Sequence, residues 1–142
     1  RLEQVKGLGH NLPLLVKLSP DLDDQQLEDA LEASSRTGMD GLIIHNTTTS
    51  RSGLRSPHQT EWGGLSGSPL TKLNIEMLRK VRRYTGGKLP VIASGGVMTP
   101  DDAQARLDEG AVLVQVYTGL IYQGPDFVRQ ILDKPLRCGY NR

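Results

Sequence analysis

Four short apolar segments recur along the chain and alternate with segments of helical spacing. The apolar segments are Leu14 to Leu18, Gly41 to Ile44, Pro90 to Ala93 and Leu113 to Val116. Short runs of this kind, three of them rich in Val and Ile, are typical of buried parallel strands. The pattern therefore predicts four strands that belong to one parallel sheet.

Each predicted strand is followed by a predicted helix. Apolar residues at helical spacing indicate helices over 23–36 and 71–84. A third helix is predicted from Thr99, which is a favoured N-cap residue followed by proline, to Gly110. The last helix opens at Gly124-Pro125. The order is thus β-α four times over, which fits either a small doubly wound sheet or half of a (β/α)8 barrel.

The positions of the unusual residues favour the barrel. Lys17, Asn46, Gly95-Gly96 and Tyr117-Thr118 all fall at the carboxyl ends of predicted strands. Barrel enzymes assemble their sites at that face. A half barrel leaves two strand edges unpaired, so we expect the chain to be a fragment or one chain of a cleaved pair.

Two glycine-containing strand ends predict a phosphate pocket. Gly95 and Gly96 follow the third strand, and Gly119 follows the fourth. Glycine lets the backbone approach a ligand closely, and a helix N-terminus offers free N–H groups to an anion. One such motif is also typical of a tight turn. Two in consecutive β-α units favour a bound phosphorylated cofactor.

Composition restricts the classes of partner. The 142 residues are 37% hydrophobic and 23% charged, with 17 basic and 16 acidic residues interspersed. This is typical of one globular domain and gives no electrostatic reason to expect a nucleic acid. No apolar run approaches the roughly 20 residues of a spanning helix, so no membrane or targeting segment is expected in the chain itself. The single cysteine, Cys138, is expected to be an ordinary terminal thiol.

Polar residues at two strand ends are candidates for chemistry. Lys17 interrupts an apolar strand, so its charge needs a partner or a polar site; a salt-bridged core lysine is the alternative. His45, Asn46 and Thr47 follow the second strand without a break. Amide and hydroxyl groups suit a substrate with amides and a carboxylate, although they also cap helices and turns. No metal site is expected, because no acid or second histidine lies at ligand spacing.

A long connection follows the second predicted strand, from Thr47 to about Pro69. Loops of this length in compact domains are usually functional or disordered. We interpret it as a lid or substrate wall, with a mobile surface excursion as the alternative.

Five motifs in a specific order carry a resemblance that spans nearly the whole chain. They are Val16-Lys17-Leu18-Ser19-Pro20, Asn46-Thr47-Thr48, Gly63-Gly64-Leu65-Ser66-Gly67-Ser68-Pro69-Leu70, Ser94-Gly95-Gly96-Val97 and Leu113-Val114-Gln115-Val116-Tyr117-Thr118-Gly119. In this order and spacing they resemble the C-terminal half of class 2, quinone-dependent dihydroorotate dehydrogenase.

The resemblance implies an FMN-dependent barrel enzyme of pyrimidine biosynthesis that oxidises dihydroorotate to orotate and passes the electrons to quinone. By position, Asn46 and Thr47 would bind the substrate. The residues implied for FMN are Lys17 at the flavin ring, His45, and, mostly at the phosphate, Gly67, Gly96, Tyr117 and Thr118. His45 stands where members of the class usually have threonine.

The same resemblance implies that residues 1–142 form only part of an FMN-binding barrel domain. The family's catalytic serine base, the first half of its flavin site and its membrane-associating helices would all precede Arg1. No catalytic residue is therefore expected in this chain, and its missing partner is the N-terminal half of the barrel. The whole enzyme would be peripheral to the bacterial cytoplasmic membrane or the mitochondrial inner membrane. Another FMN barrel oxidoreductase, of dihydropyrimidine or dihydrouridine type, and a non-catalytic phosphate-binding half barrel are the alternatives.

Overall fold

A computed structural model describes residues 12–134. Its elements in chain order are β1 (Leu15–Leu18), α1 (Asp24–Arg36), β2 (Gly41–Ile44), α2 (Leu70–Thr85), β3 (Val91–Ser94), α3 (Pro100–Asp108), β4 (Leu113–Gln115), α4 (Thr118–Gln123) and α5 (Asp126–Asp133). Cys138 and the N-terminal stretch in which no targeting signal was predicted lie outside the described residues.

The predicted strands and helices are confirmed, with ends that differ by one or two residues. The short helix α4 was not predicted, because six residues are too few to establish a helical repeat. Local capping explains the sharpest boundary: the Thr99 hydroxyl accepts the Asp102 N–H while the Asp102 carboxylate accepts the Thr99 N–H. Among the helices described, none combines the length and the apolar character needed to cross a bilayer.

The sheet has four parallel strands in the sequential order β1-β2-β3-β4. In one row across the sheet, Lys17 pairs with Ile43, Ile43 with Ile92, and Ile92 with Leu113. A doubly wound sheet reverses its strand order at a switch point, whereas a barrel adds each strand beside the previous one. The observed order is that of half a barrel.

Helices cover one face of this sheet in the described part of the chain. Alternate strand residues on that face pack against α1 and α2, and they include Leu18, Leu42, Ile44, Val91 and Ala93. The opposite face is open: Leu15 is 38% and Leu113 60% exposed. The prediction that all four strands are buried is therefore wrong for the edge strands β1 and β4. In a closed barrel the open face is the interior, which is covered only when the other strands are present.

Candidate functional site

A cavity of about 190 Å³ lies at the carboxyl ends of all four strands. Seven of the eight predicted site residues line it, namely Lys17, His45, Asn46, Thr47, Gly96, Tyr117 and Thr118. The structure adds Ser66, Leu70, Ser94, Gly95, Val97 and Gln115 to its wall. The predicted residue that does not line the cavity is Gly67. Polar groups from distant parts of the chain thus converge on one concave site.

Gly67 instead shapes the cavity through Thr118. A Cβ at Gly67 would lie 3.2 Å from the Thr118 Cγ2 atom, and the backbone of Gly67 has a φ of +83°. The Thr118 hydroxyl donates to the Ser66 hydroxyl over 3.1 Å. Ser66 therefore holds the Thr118 hydroxyl at the start of α4, and the absence of a side chain at Gly67 leaves room for the Thr118 methyl group.

The turn after β3 is built for close backbone approach. Gly95 and Gly96 have φ angles of +97° and +69°. A Cβ at Gly96 would lie 2.6 Å from the Leu70 carbonyl carbon and from the Thr71 Cα, so only glycine fits against the start of α2. The Thr71 hydroxyl donates to the Gly96 carbonyl over 2.7 Å. Within residues 12–134 the N–H groups of Gly96 and Val97 have no hydrogen-bond partner, so the turn presents two free donors.

Lys17 lies on the open face of β1 and its side chain is exposed. The expectation that Lys17 lies in a buried strand is therefore wrong, because β1 is an edge strand and no described layer covers this face. Of the two surroundings expected for its charge, a partner or a polar site, the structure has the polar site, since Lys17 lines the cavity. The alternative of a salt-bridged core lysine is also not observed: Lys17 forms no ion pair with any described residue. Its ammonium group remains available to the cavity that it lines.

His45 is buried, with 1% of its surface exposed. Its Nδ1 lies 2.7 Å from the Asn46 carbonyl oxygen. Because a carbonyl only accepts, Nδ1 must carry the proton and donate. Burial lowers the pKa of His45 despite that hydrogen bond, which raises it, and nearby Arg106 lowers it further. The neutral ring therefore carries a lone pair on Nε2, an atom without a hydrogen-bond partner in the described structure.

Sequence reasoning missed two residues that hold the end of β2. Asn74, buried on α2, donates from Nδ2 to the carbonyls of Ile44 and Ser94 over 2.9 Å each, which ties β2 to β3. Asp21 accepts from the Thr48 hydroxyl and from the Thr49 N–H and hydroxyl. Although partial burial raises it, these hydrogen bonds hold the pKa of the Asp21 carboxyl below its ordinary value. Neither residue belongs to a recognisable motif, so local pattern gave no signal for them.

The long connection between β2 and α2 folds back onto the site. Thr48 and Leu65 exchange backbone hydrogen bonds of 3.1 and 2.7 Å. The guanidinium of Arg51 donates to the carbonyls of Thr49 and Glu61, both over 3.1 Å, and so joins the two sides of the loop. These contacts favour a wall of the site over a mobile surface excursion.

Asn46 and Thr47 separate two cavities. Besides the cavity at the strand ends, they line an adjoining one of about 950 Å³ formed with Asp21, Arg51 and Trp62. A molecule on either side can thus reach the same amide and hydroxyl groups.

The sequential parallel sheet defines half of a (β/α)8 barrel, and the polar cavity at its carboxyl ends is a candidate ligand site on the face where that fold carries its active sites. The family model for dihydroorotate dehydrogenase matches residues 2–137. The chain therefore belongs to the dihydroorotate dehydrogenase family, as the sequence motifs predicted.

Curated relatives support the same subclass. The chain is 46% identical over 127 residues to dihydroorotate dehydrogenase (quinone) of Christiangramia forsetii, a match covering 89% of this chain and 37% of the relative. It is 50% identical over 120 residues to the protein of the same name from Xanthobacter autotrophicus, covering 84% of this chain and 34% of the relative. The chain thus spans about a third of the length of these relatives.

The fold agrees with solved structures of the family. A crystal structure of the Eimeria tenella enzyme DHODH in complex with ferulenol superimposes with a TM-score of 0.82 at 42% identity. The match covers 86% of this chain and 33% of that chain. The half-barrel architecture predicted from the sequence is therefore confirmed.

Proposed function

We propose that residues 1–142 are the C-terminal part of an FMN-binding barrel domain in a dihydroorotate dehydrogenase that uses quinone as electron acceptor. The observation that carries this proposal is the convergence, in one cavity, of the glycine turn at 95–96, the Thr118 hydroxyl and the free Lys17 ammonium group. A backbone turn with free N–H groups suits a phosphate, and an unpaired cation nearby suits a ring that gains negative charge.

The residues present fit FMN. The turn at 95–97 supplies N–H donors and Thr118 supplies a hydroxyl for the phosphate, with Tyr117 beside it and Gly67 behind Thr118. Lys17 would lie at the flavin ring, and the lone pair on His45 Nε2 would accept a hydrogen bond from the cofactor. When bound, FMN supplies the acceptor for the hydride that leaves the substrate.

Asn46 and Thr47 are proposed to orient dihydroorotate, and orotate after it. The Asn46 amide offers two donors and an acceptor to the substrate's amide edge, while the Thr47 hydroxyl can donate to a carboxylate. Asp21 keeps these residues in place by binding the two threonines that follow them. Positioning of this kind lets the substrate meet the cofactor in a reactive geometry.

The remaining machinery is proposed to lie in the part of the protein that the relatives have and this chain does not cover. It comprises the serine that removes the substrate proton, the other half of the flavin site, and the quinone site with helices that attach the enzyme to a membrane surface. The N-terminal half would also cover the open sheet face that includes Leu15 and Leu113. Residues 1–142 alone would then lack the group that starts the reaction.

Two other functions make different predictions. A dihydropyrimidine or dihydrouridine enzyme would bind flavin without oxidising dihydroorotate, and the family match argues against it. A non-catalytic half barrel would bind a phosphate or another chain without flavin-dependent turnover.

The test compares the chain alone with the full-length protein. Full-length protein is expected to bind FMN and to reduce a quinone with dihydroorotate, whereas residues 1–142 alone should self-associate or remain partly unfolded, because their sheet face and edges are uncovered. Flavin absorbance, sedimentation and quinone reduction measure the three properties. A full-length protein that binds FMN without this turnover, or a monomeric chain with stoichiometric FMN, would contradict the proposal.

Asn46→Ala in the full-length protein is expected to weaken orotate binding by roughly 1 to 3 kcal/mol, because polar groups of the bound ligand lose their partner. Titration of orotate followed by the flavin absorbance spectrum measures this loss. The matched control is Gln59→Ala, which also removes a side-chain amide but lines only the adjoining cavity. Unchanged orotate affinity in Asn46→Ala would show that Asn46 only shapes the turn.

A further inference from the structure

Arg106 is a buried cation with an unusual environment. Its side chain on α3 has no exposed surface. One guanidinium nitrogen donates to the Asp102 carbonyl over 2.7 Å and another to the Gly95 carbonyl over 3.0 Å. Within residues 12–134 it forms no ion pair with a carboxylate, and its Nε has no hydrogen-bond partner. Burial lowers the pKa of the Arg106 guanidinium, and the nearby Asp102 carboxylate only partly opposes this shift. A buried charge that is hydrogen-bonded only to neutral carbonyls remains costly unless a further negative charge compensates it.

The hydrogen bond to Gly95 sets the direction of the next N–H. The carbonyl of Gly95 and the N–H of Gly96 belong to one peptide group, and in a trans peptide these two bonds point in opposite directions. Because Arg106 holds the carbonyl from behind, the Gly96 N–H points away from it. Gly95 and Gly96 both line the cavity, and this N–H has no partner among the described residues.

Thr71 acts on the following peptide in the same way. Its hydroxyl holds the Gly96 carbonyl, so the Val97 N–H points away from Thr71. Val97 also lines the cavity. The carbonyl groups of two successive peptides are therefore held by side chains, and the N–H groups of the same peptides point the opposite way, toward the ligand. This is the arrangement of an anion-binding nest.

We propose that Arg106 is the positioning residue of the anion site: it orients the Gly95–Gly96 peptide toward the ligand phosphate and supplies, through the peptide, the positive charge that the phosphate neutralises. This inference rests on the proposed function, since it takes the phosphate of FMN as the anion. Arg106 does not touch the ligand. Its main effect is on the phosphate, because the peptide that it holds carries the Gly96 N–H donor, whereas it acts on the flavin ring only through the lowered pKa of His45.

Riboflavin, which lacks the phosphate, separates this role from a structural one. In the full-length protein, Arg106→Met and Arg106→Gln are expected to weaken FMN binding about tenfold or more, because both substitutions remove the buried positive charge that attracts the phosphate. Riboflavin binding should change much less. Arg106→Lys keeps the charge and a donor and should retain the wild-type preference for FMN within about threefold. Fluorescence titration of both flavins gives the ratio of dissociation constants.

Arg79→Met is the matched control, because it removes the same charge from a surface ion pair with Glu109, the residue that follows α3. Its FMN-to-riboflavin ratio should equal that of the wild type. If Arg106→Met fails to fold, the same ratio is measured for Arg106→Gln, which keeps a polar donor, and that ratio tests the proposal. Equal losses for both flavins would overturn the positioning role and leave the proposed function standing. Wild-type protein that binds neither flavin would overturn both.

Discussion

Full-length protein carrying Lys17→Ala is expected to accept hydride from dihydroorotate about 100-fold more slowly than the wild type, or slower still. Lys17 has no ion-pair partner among the described residues and its ammonium group is available at the cavity. A fixed charge beside the ring matters most as the ring gains negative charge, so its loss raises the barrier more than it weakens binding of the oxidised cofactor. Stopped-flow absorbance of the flavin measures the rate, and flavin content after gel filtration measures retention.

The control for this prediction is Lys80→Ala. Lys80 lies on α2 and pairs with Asp24 at the surface, away from the cavity. Its substitution changes the net charge equally and should leave the rate of flavin reduction unaltered. If the flavin of the Lys17→Ala protein is reduced within about threefold of the wild-type rate, Lys17 does not act at the flavin ring.

Gly96→Ala is expected to abolish FMN retention and to destabilise the full-length protein by about 3 kcal/mol or more. Part of this cost is backbone strain, because the φ of +69° disfavours residues with a Cβ. The larger part is a clash, since the new Cβ would lie 2.6 Å from the Leu70 carbonyl carbon at the start of α2. Relief of the clash would move the turn that presents the Gly96 and Val97 N–H groups.

Gly86→Ala separates these two causes. Gly86 follows α2 with a φ of +60°, and a Cβ there would meet nothing within 4 Å. It should cost only about 1 kcal/mol in the free energy of unfolding and leave FMN binding unchanged. Chemical denaturation of both variants, with the flavin content of each, makes the comparison. Equal destabilisation of the two would show that the close approach at Gly96 contributes nothing.

The two cations of the site are expected to act at different stages. Lys17 is exposed and reaches the cavity itself, so its variant should alter the rate of flavin reduction. Arg106 is buried behind the glycine turn, so its variants should alter the preference for a phosphorylated flavin. Reduction kinetics and the FMN-to-riboflavin ratio thus test the two residues independently.

The sequence by itself determined the four strands, most of the helices and the position of polar residues at strand ends. These features depend on interactions within a few residues, such as the capping box of Thr99 and Asp102 or the apolar run of Val91, Ile92 and Ala93. Periodicity and capping act locally and so leave a readable pattern.

Only the tertiary structure decided which sheet face is open and which distant groups meet. Lys17 is exposed because β1 lies at an edge, a fact that its apolar neighbours do not encode. Ser66 meets Thr118 across 52 residues, and Arg106 reaches Gly95 because α3 packs behind the turn. Asn74 likewise meets the Ile44 and Ser94 carbonyls only because α2 packs against the ends of β2 and β3. Contacts of this kind arise from the packing of the whole chain, so no local pattern contains them.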